Sequence, residues 1–260
     1  MFDYINGNKF ADLAHVVIDL DNRDINFDKT NNAIIYCKTD FLPQLFDYIR
    51  DAVGNYILIT GMSDKPINES RFNTKPECVK KWFAVNATYN HNDLVPIPLG
   101  IENHKGSSKG GFTNHKWLEE NRDRLAFKKK DFKTYCNWKD STNKDRSTII
   151  PMIRKISLKI QTKLPYEDYC EGMTDCKFVI CPEGNGIDTH RLWEALYFTC
   201  VPIVIRNHIY KEHKLPMLQV DKFEDITEEL LMNFKPWHFM NDAMYMFHWK
   251  DLINKSFEEL

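Results

Sequence analysis

Residues 183–194 read Glu-Gly-Asn-Gly-Ile-Asp-Thr-His-Arg-Leu-Trp-Glu, and their types and spacing suit the handling of an anion. Gly184 and Gly186 let a backbone come close to a ligand. Helical spacing begins just after them, and a helix N-terminus offers N–H groups to a phosphate. Asp188 or Thr189 can cap that helix. His190, Arg191 and Glu194 share one face of it, because residues three and four apart are neighbours. Arg191 stands in the first turn, where the helix dipole alone disfavours a cation. An anion opposite would account for it. A plainer reading stays open: the glycines serve a tight strand-to-helix turn, and Arg191 with Glu194 is a surface pair worth about 0.2–0.5 kcal/mol. A dinucleotide site fits less well. Thr189 occupies the place of the third glycine or alanine, and the next strand ends at Arg206-Asn207 with no acid for a ribose.

Apolar runs at 178–181 and 201–205 flank this loop and read as strands, with Leu192, Ala195 and Leu196 at helical spacing between them. Further strand candidates are 15–20, 33–37, 56–60, 81–85, 94–98 and 132–138. Pro96 and Pro98 favour an edge or terminal place for the fifth of these. Helices are expected over 42–49 with Thr39 as a cap, and over 114–127, 145–163, 166–173 and 225–234. Pro151 kinks or delays the third. Trp249, Leu252, Ile253 and Phe257 give the tail helical spacing. Residues 106–111 read as a glycine-rich loop, and 128–131 as a charged linker. Strand and helix alternate in both halves, so an α/β fold with mainly parallel sheets is expected. Ligands in such folds gather at the carboxyl ends of strands. Asn137 and Trp138 end one strand, and Arg146 begins the next helix. Arg146 is therefore a candidate second phosphate cation, or else a solvated charge among Lys139, Lys144 and Lys155.

Pro182 to Leu196, followed by Cys-Val-Pro-Ile-Val at 200–204, resembles the donor-binding segment of exostosin-like glycosyltransferases. These include small soluble forms encoded by large algal viruses and by bacteria. The resemblance is strong over 176–206 and weaker over 81–86, 96–103 and 142–146. It implies two Rossmann-like domains facing a cleft, the GT-B arrangement. The acceptor-side domain would be 1–130 and the nucleotide-sugar-binding domain 131–236. Residues 237–260 would form a helix packing back on the first domain. It further implies transfer of a sugar from a nucleotide-diphosphate donor, a UDP-sugar ahead of a GDP-sugar, to a hydroxyl of a glycan or glycoprotein. Inversion, and no essential metal or other cofactor, are part of that implication. Arg191 would neutralise the leaving diphosphate and Glu194 would bind ribose. Asn137, Arg146, Glu183, Gly184, Asn185, Gly186, Asp188, Thr189 and His190 complete the expected donor set. A non-catalytic carbohydrate- or nucleotide-binding protein of the same fold is the alternative.

Inverting transfer needs a general base on the acceptor hydroxyl. Asp64 and Asp40 both follow expected strands, where a base belongs, and Asp64 is slightly preferred. Glu102 is a third candidate and is also placed on the acceptor side, with Trp82, Asn86, His91 and Asn103. Aromatic faces stack on sugar rings and amides bind hydroxyls, although core burial suits Trp82 as well.

The chain has 260 residues, 43% hydrophobic and 28% charged, with a net charge of −2. That is an ordinary globular composition, with no global pull toward nucleic acid. No apolar run of about 18 residues is present, so no transmembrane span is expected. The first residues lack the features of a signal peptide, and a cytoplasmic location follows as an expectation. Seven cysteines without a C-x-x-C pair read as reduced thiols, not as a zinc site. Asp19-Leu-Asp21 is the nearest approach to a metal-diphosphate motif, and it reads as a strand end.

Overall fold

The computed structural model describes residues 2–103, 111–210, 215–235 and 241–260, without the side chains of 111–113. Most of the loop expected at 106–111, and Pro236 with the start of the tail, lie outside the described residues.

Two five-stranded parallel sheets organise the chain. The first runs β1 (Val16–Ile18), β2 (Ala33–Lys38), β3 (Tyr56–Gly61), β4 (Val79–Ala84) and β5 (Leu94–Pro96), in that spatial order. The second is built from β6 (Asp131–Cys136), β7 (Leu158–Ile160), β8 (Cys176–Ile180), β9 (Val201–Ile205) and β10 (Leu218–Val220). Its order is β10-β9-β8-β6-β7. That order reverses between β6 and β8, which makes their carboxyl ends a topological switch point.

The central strands β2, β3, β8 and β9 are near-continuous apolar runs because both of their faces are covered. In the first sheet Ile35, Cys37, Leu58, Trp82 and Ala84 face one way, against Leu42, Leu45, Phe46 and Ile49 of α2 (Leu42–Ile49). These four α2 positions are the i, i+3, i+4, i+7 stripe of an amphipathic helix. Ile34, Tyr36, Ile57, Ile59 and Phe83 face the other way. There α1 (Gly7–Ala11) and α9 (Met246–Glu258) pack on β3. In the second sheet Cys136, Phe178, Ile180 and Ile203 meet α5 (Arg146–Met152) and α8 (Glu228–Asn233). Tyr135, Val179 and Val204 join the core that contains the first sheet's inner face. That shared core also takes in α4 (Gly111–Ala126), α6 (Tyr166–Thr174) and α7 (His190–Tyr197). The short helix α3 (Glu69–Phe72) lies between β3 and β4.

The helix expected over 145–163 is corrected. It stops at Met152, just after Pro151, and Leu158–Ile160 instead forms β7 paired with Thr134–Cys136. Pro151 removes a donor from the helix, and Ile156-Ser-Leu-Lys-Ile160 alternates with the period of a strand. The helix expected over 225–234 is shorter, and Phe223–Asp225 forms a separate 3-10 turn before it. The strand β10 was not foreseen.

Tyr197 of α7 ties three regions together. Its hydroxyl accepts from Ile5 N and donates to Met244 O, both at 3.0 Å and buried. Phe247 N donates to Asp3 at 2.8 Å, at the start of α9. All seven cysteines are free thiols.

Candidate functional site

A cavity of about 610 Å³ opens where the carboxyl ends of β2 to β5 meet the loops after β6 and β8. Lys38 and Asp40 enter it after β2, and Gly61 to Lys65 after β3. The second half contributes Thr142, Gly184, Asn185, Gly186, Asp188, Thr189 and His190. Parallel strands in one sense put all these loops at one end of their sheet, so topology alone gathers them.

The loop after β8 bonds across to the first half. Ile187 N and Asp188 N both donate to Asn86 Oδ1 at 3.1 Å. Asp188 accepts from Leu99 N at 2.8 Å, from Thr189 N at 2.8 Å and from Trp193 Nε1 at 2.8 Å. His190 Nδ1 lies 2.8 Å from Gly100 O, which makes that nitrogen the protonated one. Asn185 Nδ2 donates to Asp64 at 3.2 Å. Within the loop Gly184 N donates to Gly186 O at 2.9 Å.

Gly186 is required here for close approach. A Cβ on it would stand 2.5 Å from Asn86 Nδ2. Asn86 itself is buried in the left-handed region at φ 55°, a conformation that asparagine tolerates better than most residues. Part of the diphosphate cradle expected of this loop is taken up within the protein in this conformation. The amides of Gly184, Ile187, Asp188 and Thr189 are already bonded, to Asn86 and to the loop itself. Asn86 belongs to this clasp and not to an acceptor surface.

The charged residues divide into those that face the cavity and those that hold it up. Arg146 is buried and donates to Glu183 O at 2.8 Å, Pro182 O at 3.1 Å and Lys139 O at 3.4 Å. Asn143 donates to Gly184 O at 3.0 Å. The pair fastens the two loops of the switch point together. Arg146 is thus a strut on backbone carbonyls, not a cation lining the cavity. Burial, then the nearby Arg191, push its guanidinium down to about 10. Glu194 is buried and accepts from Tyr169 at 2.8 Å, and Arg191 lies over the Tyr169 ring with its Nε unpartnered. Neither lines the cavity, which corrects their direct assignment to ribose and diphosphate. Helix α7 turns both toward α6 and away from the opening. Asn137 donates to Tyr135 and also stays behind the cavity, and the Glu183 side chain borders a separate depression beside β9 and β10.

On the first-sheet side the two aspartates differ. Asp40 accepts from Lys65 at 2.7 Å and pairs with Lys38. Burial would raise its carboxyl, but hydrogen bonds from Lys38, Lys65 and Ser63 outweigh it and hold the group well below the usual range. So anchored, Asp40 is a poor proton acceptor, and its candidacy as base is corrected on that ground. Asp64 is exposed at the cavity mouth, with Asn185 against it. Asp188 is the other carboxylate lining the cavity. Burial pushes it up to about 6, against hydrogen bonds from Leu99, Trp193 and Thr189.

Three acceptor-side candidates lie elsewhere. Trp82 is fully buried, with Nε1 donating to Thr60 Oγ1 at 2.9 Å and its ring against Phe46 and Phe72. The alternation of β4 turns it toward α2. His91 stands at the amino end of β5, the wrong end for the cavity, against Phe72 and Tyr89. Glu102 accepts from Asn114, and it is the adjacent Asn103 that lines the cavity. Asp19 accepts from Asp21 N and Asn22 N at 2.9 Å, as a turn carboxylate.

Lys38, Lys65, Tyr36 and Thr142 line the cavity and were not singled out from sequence. Lys38 and Lys65 could have been, since each adjoins a strand end or Asp64. The Tyr36 hydroxyl is buried at the cavity wall with no partner among the described residues. Gly61 leaves it room, since a Cβ there would be 3.1 Å from the hydroxyl.

Among the described residues no group of three or more His, Cys, Asp or Glu is placed to hold a metal ion, and no helix is long and apolar enough to cross a membrane. No family model and no curated protein matches the chain.

Proposed function

We propose that this protein is a glycosyltransferase that moves a sugar from a nucleotide-diphosphate donor to a glycan hydroxyl. The reading takes the two halves as Rossmann-like domains in a GT-B arrangement. The observation that carries it is the cavity at the strand ends of both sheets, with Asp64 across from the loop at 184–190. Asp64 is the general base: it takes the proton of the acceptor hydroxyl as that oxygen bonds to the anomeric carbon and the diphosphate leaves. Lys38, Lys65 and His190 face the same space and offset the charge of the leaving group. Arg191 adds a positive field from behind the loop. Fixed charges of this kind act without reorganising during the reaction. The Tyr36 hydroxyl is a ready partner for a sugar hydroxyl.

A specific observation favours a second reading, binding without turnover. The amides of Ile187 and Asp188 are committed to Asn86, and Glu194 is committed to Tyr169. Thermal stabilisation by UDP, GDP, their sugars and NAD(P), followed by release of nucleoside diphosphate in the presence of a chelator, separates the two. Transfer predicts stabilisation by one nucleoside diphosphate, weaker stabilisation in Arg191→Ala, and turnover lowered about 10²–10⁴-fold in Asp64→Asn with nucleotide binding kept. Binding without release of diphosphate supports the second reading. A response to NAD(P) alone overturns the transferase reading.

A further inference from the structure

The end of the second sheet opposite the cavity has a different character. Residues 127–133 read Phe-Lys-Lys-Lys-Asp-Phe-Lys. They turn from the end of α4 into the amino end of β6. Phe127 is 84% exposed and Phe132 43%. Lys129, Lys133 and Lys159 border one hollow of about 390 Å³ together with Asp131 and Asp175. Lys133 pairs with Asp131 at 2.9 Å, and Lys159 with Asp175 at 2.5 Å. Lys128 reaches Asp175 at 2.5 Å and Glu171 at 3.2 Å, while Arg124 also bonds Glu171 at 2.6 Å. Lys177 lies over the rings of Phe132 and Phe178. Asp123, paired with Arg122, lies one turn before Phe127, and cations at this end still outnumber the four carboxylates, on a chain whose net charge is −2.

Exposed aromatic rings interleaved with lysines suit a boundary between water and anionic headgroups. The ring enters the acyl boundary, the lysine stem lies along it, and the ammonium stays with phosphate. A nucleic acid would need an unbroken cationic track. Asp131, Glu171 and Asp175 interrupt one, and base stacking leaves the lysine hollow unused. We propose that this end of the second sheet docks on an anionic membrane surface. A lipid phosphate sits at the Lys129, Lys133 and Lys159 hollow, and Phe127 enters the headgroup boundary. The cavity at the other end of the strands stays open to solution.

The test is sedimentation of the protein with vesicles of phosphatidylcholine, with and without phosphatidylserine. Binding is expected only when phosphatidylserine is present, and it should weaken with salt. Each lysine near such a surface is worth about a five-fold change in partition, so Lys129→Glu with Lys133→Glu should lower it at least ~25-fold. Phe127→Ser should lower it several-fold, and its exposure makes unfolding an unsuitable explanation; an unchanged Tm checks this. Soluble glycerophosphoserine should not compete. Equal partition to both vesicles, full partition of the charge-reversed variant, displacement by glycerophosphoserine, or a preference for single-stranded RNA over vesicles would each overturn the proposal.

Discussion

Gly186→Ala tests the clasp between the halves most directly. The new Cβ would stand 2.5 Å from Asn86 Nδ2 and 3.0 Å from Asn86 Cγ, so the carboxamide has to swing away. Swinging away breaks the bonds from Ile187 N and Asp188 N to Oδ1. At about 1 kcal/mol net per hydrogen bond the cost is about 2 kcal/mol. For a chain of this size that is a fall in apparent Tm of about 4–8 °C. Asn86→Ala loses the same two bonds and places alanine at φ 55°, which adds about 1–2 kcal/mol. In that background residue 186 no longer meets a carboxamide, so Gly186→Ala should then cost less than about 0.5 kcal/mol. The assay is urea unfolding of the wild type, both single variants and the double variant. Additivity within about 0.5 kcal/mol would refute the reasoning, because it would mean that Gly186 and Asn86 do not share the contact.

The contribution of Asp188 to stability should fall as pH rises from about 4 to 6, because it binds its proton more tightly when folded, and should be flat above, with a total of at most about 3 kcal/mol. Asp188→Asn should remove that slope; a slope that survives would assign it to another group. Tyr197→Phe strips Ile5 N and Met244 O of a shared partner, for a loss of about 1–3 kcal/mol and faster amide exchange at Ile5. Unchanged exchange at Ile5 would count against the bridge. Lys65→Met should raise the Asp40 carboxyl toward the usual range, seen by carboxyl NMR titration; no movement would show that Lys38 and Ser63 hold it without Lys65.

The central strands were legible because they are buried apolar runs, as at Tyr56–Gly61 and Cys176–Ile180. Helix α2 was legible because Leu42, Leu45, Phe46 and Ile49 repeat at helical spacing. Leu158–Ile160 carried its own period of two, but the helical reading from 145 ran past it. Leu218–Val220 is too short to show a period at all. The site was legible as a set of loops, less so as contacts. Gly184 and Gly186 marked the right loop, yet the demand on Gly186 comes from Asn86, one hundred positions earlier. Arg146 and Glu194 drew notice as charges, and only the fold reveals that their partners are Pro182, Glu183 and Tyr169. No local pattern encodes a partner that distant.

The packing of α9 on β3 also has a consequence for how the protein is made. Ile34, Tyr36, Ile57, Ile59 and Phe83 form an apolar face whose cover includes Trp249 and Ile253. A ribosome that has finished β4 needs roughly another 8–30 s to deliver those two residues at ordinary elongation rates. Throughout that interval the nascent first sheet carries an incompletely covered apolar side, with α1 alone of its two helices made. The half translated first is thus the half completed last, and the growing chain should lean on chaperones until its final helix emerges.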